Sequence, residues 1–220
     1  MGDGGHIIRI RDDKVWTRDL EMADIEMTDL EMAGPDERAS GLAALPGNLM
    51  MWILIFSELA VFGAAFIGFA VARVLDPATF AAGQAHLNGT AGALNTMVLV
   101  TSGYLAARGV AAGRRGAVAQ ARRAMMIAAA VGSVFLAVKA MEYSATLGAG
   151  LTIDTNTFFT LYFLLTGFHA LHVVLGIVIL LLVSRSGPDT LVENLETGAA
   201  FWHMVDLVWV ILYPLVYLIR

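Results

Sequence analysis

Residues 157–184 read TFFTLYFLLTGFHALHVVLGIVILLLVS, a stretch without a single aspartate, glutamate, lysine or arginine. A helix rises about 1.5 Å per residue, so a helix of this length exceeds the roughly 30 Å of a bilayer's hydrocarbon core. The stretch therefore predicts a transmembrane helix. It also holds His169 and His172, three residues apart, which raises the question of whether these histidines bind a metal or a heme.

Four further apolar segments of similar length surround this one. They cover residues 49–74, 91–108, 124–147 and 198–219. The whole chain is 58% hydrophobic and 15% charged, whereas soluble domains carry about 25% charged residues. No segment alternates as the strands of a membrane β-barrel do. We therefore predict an all-α membrane protein in which residues 47–220 form a bundle of five transmembrane helices.

The N-terminal residues 1–46 differ in composition from the rest of the chain. Eleven of the 19 acidic residues lie in the first 37 positions, and residues 19–33 repeat a five-residue unit as DLEMA, DIEMT and DLEMA. A period of five fits neither a helix nor a strand. The segment is too polar to be a cleaved signal peptide. We predict a disordered acidic tail.

Positively charged residues predict the orientation. Cytoplasmic loops of membrane proteins are enriched in lysine and arginine. The region between the second and third apolar segments carries five arginines, namely Arg108, Arg114, Arg115, Arg122 and Arg123. The loop around Asp154, on the opposite face, has none. This asymmetry predicts a cytoplasmic N-terminus and a periplasmic C-terminus.

Ionisable residues inside apolar segments are costly, so they usually face the bundle interior and find partners. Counting helix rise from the segment ends places several of them at a similar depth, which predicts a buried polar cluster in contact with lipid or protons. The candidates are Glu58, His169, His172, His203 and Asp206. Lys139 and Glu142, three residues apart, are predicted to form an ion pair near the outer edge.

The ligand pattern argues against a metal centre in this chain. There is no cysteine, which excludes thiolate sites and iron–sulfur clusters. His169 and His172 share one helix face, so the two cannot bind opposite faces of a heme. Neither Glu58 nor Glu142 begins the Glu-x-x-His motif of di-iron bundles. No nucleophile stands beside a base, so we also predict no catalytic residue.

Short motifs in each apolar segment, taken in order, resemble subunit III of the heme-copper oxidases over residues 48–220. The matching pieces are FSE at 56–58, LNT at 94–96, TSG at 101–103, KAMEY at 139–143, TGFHALHV at 166–173 and WHMVDLVW at 202–209. That family has members with seven helices and members with five. This chain resembles the five-helix form.

The resemblance implies a non-catalytic subunit of a respiratory complex in the bacterial cytoplasmic membrane. Subunit III binds neither heme nor copper, and its buried histidines and carboxylates hold helices and phospholipid headgroups. The redox cofactors would belong to a catalytic partner subunit. The residues around Trp202 and the ending at Arg220 are most similar to the branch associated with nitric oxide reductase, often called NorE. Subunit III of an oxygen-reducing cytochrome c or quinol oxidase is the alternative.

Two other classes of function remain open from the residues. A small proton-coupled transporter would use Glu58, His172 and Asp206 as a proton path, and it would show broken helices or an inverted repeat. Pro214 is the one proline inside the five segments, and no internal duplication is evident. An independent heme protein would show a Soret band in the isolated chain.

Overall fold

The computed structural model describes residues 49–187 and 189–219, and all regular structure in this part is helical. The α-helices are α1 (Leu49–Leu75), α2 (Pro77–Gln84), α3 (Gly89–Arg114), α4 (Val118–Gly148), α5 (Thr157–Val183) and α6 (Leu191–Tyr213), followed by a π-helical turn at Pro214–Leu218. The all-helical prediction is confirmed. The predicted disordered tail, with its repeat at 19–33, lies outside the described residues.

Four helices are long and apolar enough to cross a bilayer. They are Met50–Leu75, Val118–Gly148, Thr157–Val183 and Leu191–Leu218. The fifth long helix, α3, has 26 residues but is rich in glycine, alanine and polar side chains. It packs between α4 and α6, where small residues allow close approach of the backbones. Five long helices are therefore present in the described part, four of them with the composition of a membrane span.

The long helices pack in a definite order. Helices α3, α4, α5 and α6 form a ring in which each packs against the next, and α6 closes it onto α3. Helix α1 packs against α6 and α5 on the outside of this ring. Trp202 of α6 fills the middle of the ring and is fully buried. Its indole lies against Gly132 of α4 on one side and Gly176 of α5 on the other.

Several helices begin or end at residues other than the predicted ones. The arginine-rich loop expected between residues 108 and 124 is a turn of three residues, because α3 continues to Arg114 and α4 begins at Val118. Gly116 makes this turn with φ of +74°, a left-handed conformation that glycine adopts without strain. Helix α6 begins at Leu191, seven residues before the predicted 198. These helices are longer than their apolar segments, because polar residues extend them from the hydrocarbon region into the interface between membrane and water.

The short helix α2 was missed because its sequence is neither long nor periodic. Asp76 caps it, with a carboxyl oxygen accepting a hydrogen bond from the Thr79 backbone N–H at 3.2 Å, and Pro77 occupies the first turn. Hydrogen bonds from the Thr79 side chain and then from its backbone hold the pKa of Asp76 below its usual value. Asp76 followed by Pro77 and Thr79 is the signal that could have predicted this helix.

Helix α2 also holds the end of the chain. Pro214 has no backbone N–H, and the α-helix gives way there to the π-helical turn. The Gln84 amide donates hydrogen bonds to the carbonyls of Val216 at 2.8 Å and Ile219 at 2.9 Å. The Arg73 guanidinium also donates to the Ile219 carbonyl. These two side chains satisfy carbonyls that the helix end leaves without partners.

Gln84→Leu is expected to destabilise this terminal turn. Gln84 is buried, and its loss would leave the Val216 carbonyl without its side-chain donor, at a cost of about 1–3 kcal/mol, while the Ile219 carbonyl would keep only the Arg73 guanidinium. Thermal unfolding in mild detergent and the rate of digestion by carboxypeptidase would measure the effect. Gln120→Leu is the control, because Gln120 is exposed. Equal behaviour of the two variants would contradict the anchoring role of Gln84.

Candidate functional site

The first pair of predicted site residues joins α1 to α5. His172 Nε2 lies 3.1 Å from Glu58 Oε2, and His172 Nδ1 lies 2.9 Å from the Phe168 carbonyl oxygen. A carbonyl can only accept, so Nδ1 carries a proton and Nε2 faces the carboxyl group. Either the Glu58 carboxyl donates to a neutral imidazole or an imidazolium donates to a carboxylate. In both cases the pair shares one proton between two helices.

The second pair lies within α6. His203 Nδ1 is 3.7 Å from Asp206 Oδ2, and the His203 side chain is 48% exposed while that of Asp206 is 11% exposed. The pair faces α3 at Gly103, where an added methyl group would overlap the Asp206 carboxyl group. Oδ1 of Asp206 is buried without a hydrogen-bond partner in the part that the structure describes. The glycine makes room for the carboxyl group between α3 and α6.

His169 sits apart from both pairs. It is fully buried, and neither ring nitrogen has a hydrogen-bond partner among the described residues. Its ring stacks on Trp209 with a centroid distance of 5.2 Å and meets the edge of Phe135 at 5.4 Å. His169 therefore packs as an aromatic ring in the core.

The structure brings the predicted residues together as two separate pairs. Within residues 49–187 and 189–219, no hydrogen bond or ion pair connects Glu58 and His172 to His203 and Asp206. The reason is geometric, since one pair lies between α1 and α5 and the other faces α3. In the same described ranges, no group of three or more His, Asp or Glu side chains is placed to hold a metal ion.

A third polar cluster surrounds Lys139, which is 2% exposed. Its Nζ lies 3.2 Å from Glu142 Oε2, as their spacing on α4 predicts, and it also donates to the hydroxyl oxygens of Tyr162 at 3.2 Å and Tyr217 at 2.9 Å. Both tyrosine hydroxyls in turn donate to Glu142 Oε1, at 2.9 and 2.6 Å. The network connects α4, α5 and the terminal π-helical turn, and every charge in it has a partner.

Aromatic rings complete the enclosure of this cation. Four rings have centroids within 4.9–5.7 Å of Lys139 Nζ, those of Tyr143, Tyr162, Trp209 and Tyr217. The negative face of an aromatic ring attracts a cation, more strongly where water is excluded. Sequence reasoning missed Tyr162 and Tyr217, because each lies on a different segment from Lys139. Their position in otherwise apolar helices is the signal that could have identified them, since a buried hydroxyl needs a partner.

An apolar groove runs between α1, α3 and α6, with a volume of about 710 Å³. Trp52, Phe56 and Leu207 contribute to its walls, and His203 lies in one wall. Arg114 and Glu196 also line the groove and form an ion pair at 2.8 Å. The groove thus combines an apolar body with polar groups, which is the arrangement that an amphiphile fits.

Comparison with known proteins gives a consistent result. The model of the family described as "Cytochrome c oxidase subunit III" matches residues 16–219. A "Cytochrome c oxidase subunit 3" of Synechocystis sp. is 34% identical over 189 residues, which cover 82% of this chain and 80% of the relative. The protein of that name in Thermostichus vulcanus is 32% identical over 191 residues, covering 84% of this chain and 89% of the relative.

A third relative is matched over a still larger share of its length. The "Cytochrome c oxidase subunit 3" of Corynebacterium diphtheriae is 31% identical over 198 residues, covering 86% of this chain and 96% of the relative. The matched lengths therefore cover between 80% and 96% of these three relatives. The family match also begins at residue 16, inside the N-terminal region that the sequence pattern separates from the bundle.

Proposed function

This chain belongs to the cytochrome c oxidase subunit III family, and on that basis we propose that it is the non-catalytic subunit III of an oxygen-reducing heme-copper oxidase. The observation that carries the proposal is the match over residues 16–219 together with relatives of similar length. The proposed location is the bacterial cytoplasmic membrane. The heme and metal centres would lie in the catalytic partner subunit.

The acceptor of the complex distinguishes this proposal from the sequence-based prediction. The residues around Trp202 favour the branch associated with nitric oxide reductase. The comparisons do not support that branch, because the three relatives described above are all named as cytochrome c oxidase subunits. Oxygen is therefore the acceptor that we propose, and nitric oxide becomes an outcome that the test below distinguishes.

In this proposal the buried polar groups hold the bundle and its lipids. Glu58 and His172 link α1 to the ring, while Lys139 and Glu142 link α4 to α5 and the chain end. We further propose that the groove between α1, α3 and α6 takes a phospholipid acyl chain. Its apolar walls and the exposed His203 side chain support this role.

We propose a topology of five membrane crossings with a cytoplasmic N-terminus and a periplasmic C-terminus. Helix α3 would be the fifth crossing, in spite of its low hydrophobicity, because α4 and α6 cover much of its surface. Support for the direction comes from the arginines at the end of α3 and the start of α4. At the opposite end of the bundle the loop around Asp154 carries none, and Arg73 at the end of α1 bonds to the Ile219 carbonyl.

The proposed partner can be tested by purification of the tagged chain from its native membrane in mild detergent. Mass spectrometry would identify the chains that copurify, and a visible spectrum would report heme. A catalytic subunit of the oxygen-reducing type supports the proposal. A subunit of the nitric-oxide-reducing type would reverse the acceptor. A colourless homo-oligomer would contradict the proposal and favour a transporter, and a Soret band in the isolated chain would indicate a heme protein.

Glu58→Gln is expected to leave turnover of the assembled complex largely unchanged. The glutamine amide can still donate to His172 Nε2, so the link between α1 and α5 persists. Oxygen consumption per heme, with the amount of assembled complex measured in parallel, checks this. Glu193→Gln, at an exposed carboxylate, is the control. A loss of turnover of about a hundredfold with normal assembly would instead assign Glu58 an acid–base role.

A further inference from the structure

Three arginines surround a concavity of about 290 Å³ at the turn between α3 and α4. They are Arg108, Arg115 and Arg123. All three are exposed, and none forms a side-chain hydrogen bond or ion pair within the described residues. Arg108 does lie over the Tyr104 ring, with 5.9 Å from its guanidinium carbon to the centroid.

Two neighbouring arginines differ from these three in that their side chains have bonding partners. Arg114 pairs with Glu196 at 2.8 Å, and Arg122 donates to the Ser186 carbonyl oxygen at 2.8 Å. These two arginines hold the ends of helices together. The three that line the concavity make no such contact in the described part, where no acidic side chain neutralises their charge.

The start of α4 adds to the positive potential. Ala117 precedes the helix and offers no side chain to cap it. The backbone N–H groups in the first turn of a helix lack intrahelical acceptors and carry a partial positive charge. Among the residues that the structure describes, no carboxylate lines the concavity. An anion placed there would meet three guanidinium groups beside the first turn of α4, of which Gln120 lines the concavity, and no acidic side chain among the described residues opposes it.

The floor of the concavity is apolar and includes Leu105, Ala112 and Ile127. Helix α4 is itself one of the candidate membrane spans, so these cations stand at the end of an apolar wall. A free phosphate would use the cations alone, whereas a phospholipid would use both the cations and the floor. Guanidinium groups bind phosphate oxygens in bidentate fashion.

We propose that Arg108, Arg115 and Arg123 form a binding site for the headgroup of an anionic phospholipid. The phosphodiester would lie among the guanidinium groups, and the upper part of an acyl chain would lie against the apolar floor. Basic pockets between membrane helices on the cytoplasmic side take cardiolipin and similar headgroups. This inference rests on the geometry of α3 and α4, and it does not depend on the identity of the catalytic partner.

The test uses the full-length chain, purified and delipidated in a neutral detergent. Phosphatidylglycerol, cardiolipin, phosphatidylcholine and inorganic phosphate are added in turn, and the midpoint of thermal unfolding is measured for each. We expect inorganic phosphate to leave the midpoint unchanged and the two anionic lipids to raise it further than phosphatidylcholine does, since phosphatidylcholine can fill only the apolar groove between α1, α3 and α6. In the variant R108Q/R115Q/R123Q we expect the apparent affinity for the anionic lipids to fall at least about tenfold.

Arg185→Gln provides the matched control. Arg185 is exposed, and the bond from Arg122 to the neighbouring Ser186 places it at the same end of the bundle, outside the concavity. This variant should bind anionic lipid like the unmodified chain. Arg185→Gln removes one charge and is therefore compared with each of the single variants R108Q, R115Q and R123Q. An equal loss in all four would mean that only overall charge matters, and it would overturn the proposal. Undiminished binding by the triple variant, or an equal response to inorganic phosphate, would also overturn it.

The lipid affinities of the triple variant and the unmodified chain can be compared only if the triple variant folds. Its unfolding midpoint without lipid should lie close to that of the unmodified chain, because within the described residues the three side chains lose no hydrogen bond or ion pair and only the contact of Arg108 with the exposed Tyr104 ring. Each single variant should weaken binding in part, so the proposal stays testable if the triple variant is poorly expressed. Single variants that all bind like the unmodified chain would contradict the site.

Discussion

Lys139→Met is expected to lower the free energy of unfolding by about 3–5 kcal/mol, the largest stability effect that the structure predicts. Methionine matches the length of the lysine stem, so the packing volume is nearly conserved. The loss comes from the charge, because the Glu142 carboxylate would remain buried with two tyrosine donors and no cation. Thermal or denaturant unfolding in mild detergent would measure it.

Removal of both charges should restore much of this loss. In Lys139→Met combined with Glu142→Gln, no uncompensated charge remains in the core, and replacement of a whole buried pair is often nearly neutral. A double variant that is no more stable than Lys139→Met would show that the charge is not the cause. Arg114→Gln, at an ion pair in which the arginine side chain is 60% exposed, should cost at most about 1 kcal/mol.

Gly176→Ala is expected to destabilise the bundle by about 1–3 kcal/mol, although alanine is the better helix former. The new Cβ would lie 2.5 Å from Cε3 of Trp202, closer than real Cβ atoms approach any neighbour. The indole cannot move away, because Gly132 is already in contact with its other side. Gly63→Ala is the control, since a Cβ there meets no atom within 4 Å.

A double-mutant cycle with Trp202→Phe would separate crowding from other effects. The smaller ring alone leaves a cavity and should destabilise the chain. In its presence, the Gly176→Ala methyl group has room and should cost less than it does beside tryptophan. Unfolding midpoints of the four proteins measure the coupling. Strictly additive effects would contradict the close packing of Trp202 against Gly176.

Two features of the candidate site follow from the spacing of residues along one helix. Lys139 and Glu142, and likewise His203 and Asp206, lie three residues apart, so they share a helix face wherever the helix packs. A depth along the helix can also be calculated from the sequence. Glu58 and His172 were expected at a similar level, and they lie within hydrogen-bonding distance across two helices.

Other features depended on which way each helix faces. His169 and His172 are one turn apart on α5, yet one packs among aromatic rings and the other binds Glu58. A buried histidine can be a ring in the core or a hydrogen-bonding group, and the residue type does not distinguish them. The same uncertainty made a single polar cluster the natural prediction, where the structure has separate pairs.

The long apolar segments are enough to predict a helical membrane protein, because such segments in lipid must satisfy their own backbone hydrogen bonds. The contacts between the helices could not be predicted in this way and are known from the folded chain. It brings Tyr217, near the end of the chain, to Lys139, and it leaves three arginines around one concavity. The reason is that apolar helices can pack in many rotations, and the fit of individual side chains, such as Trp202 between two glycines, selects one of them.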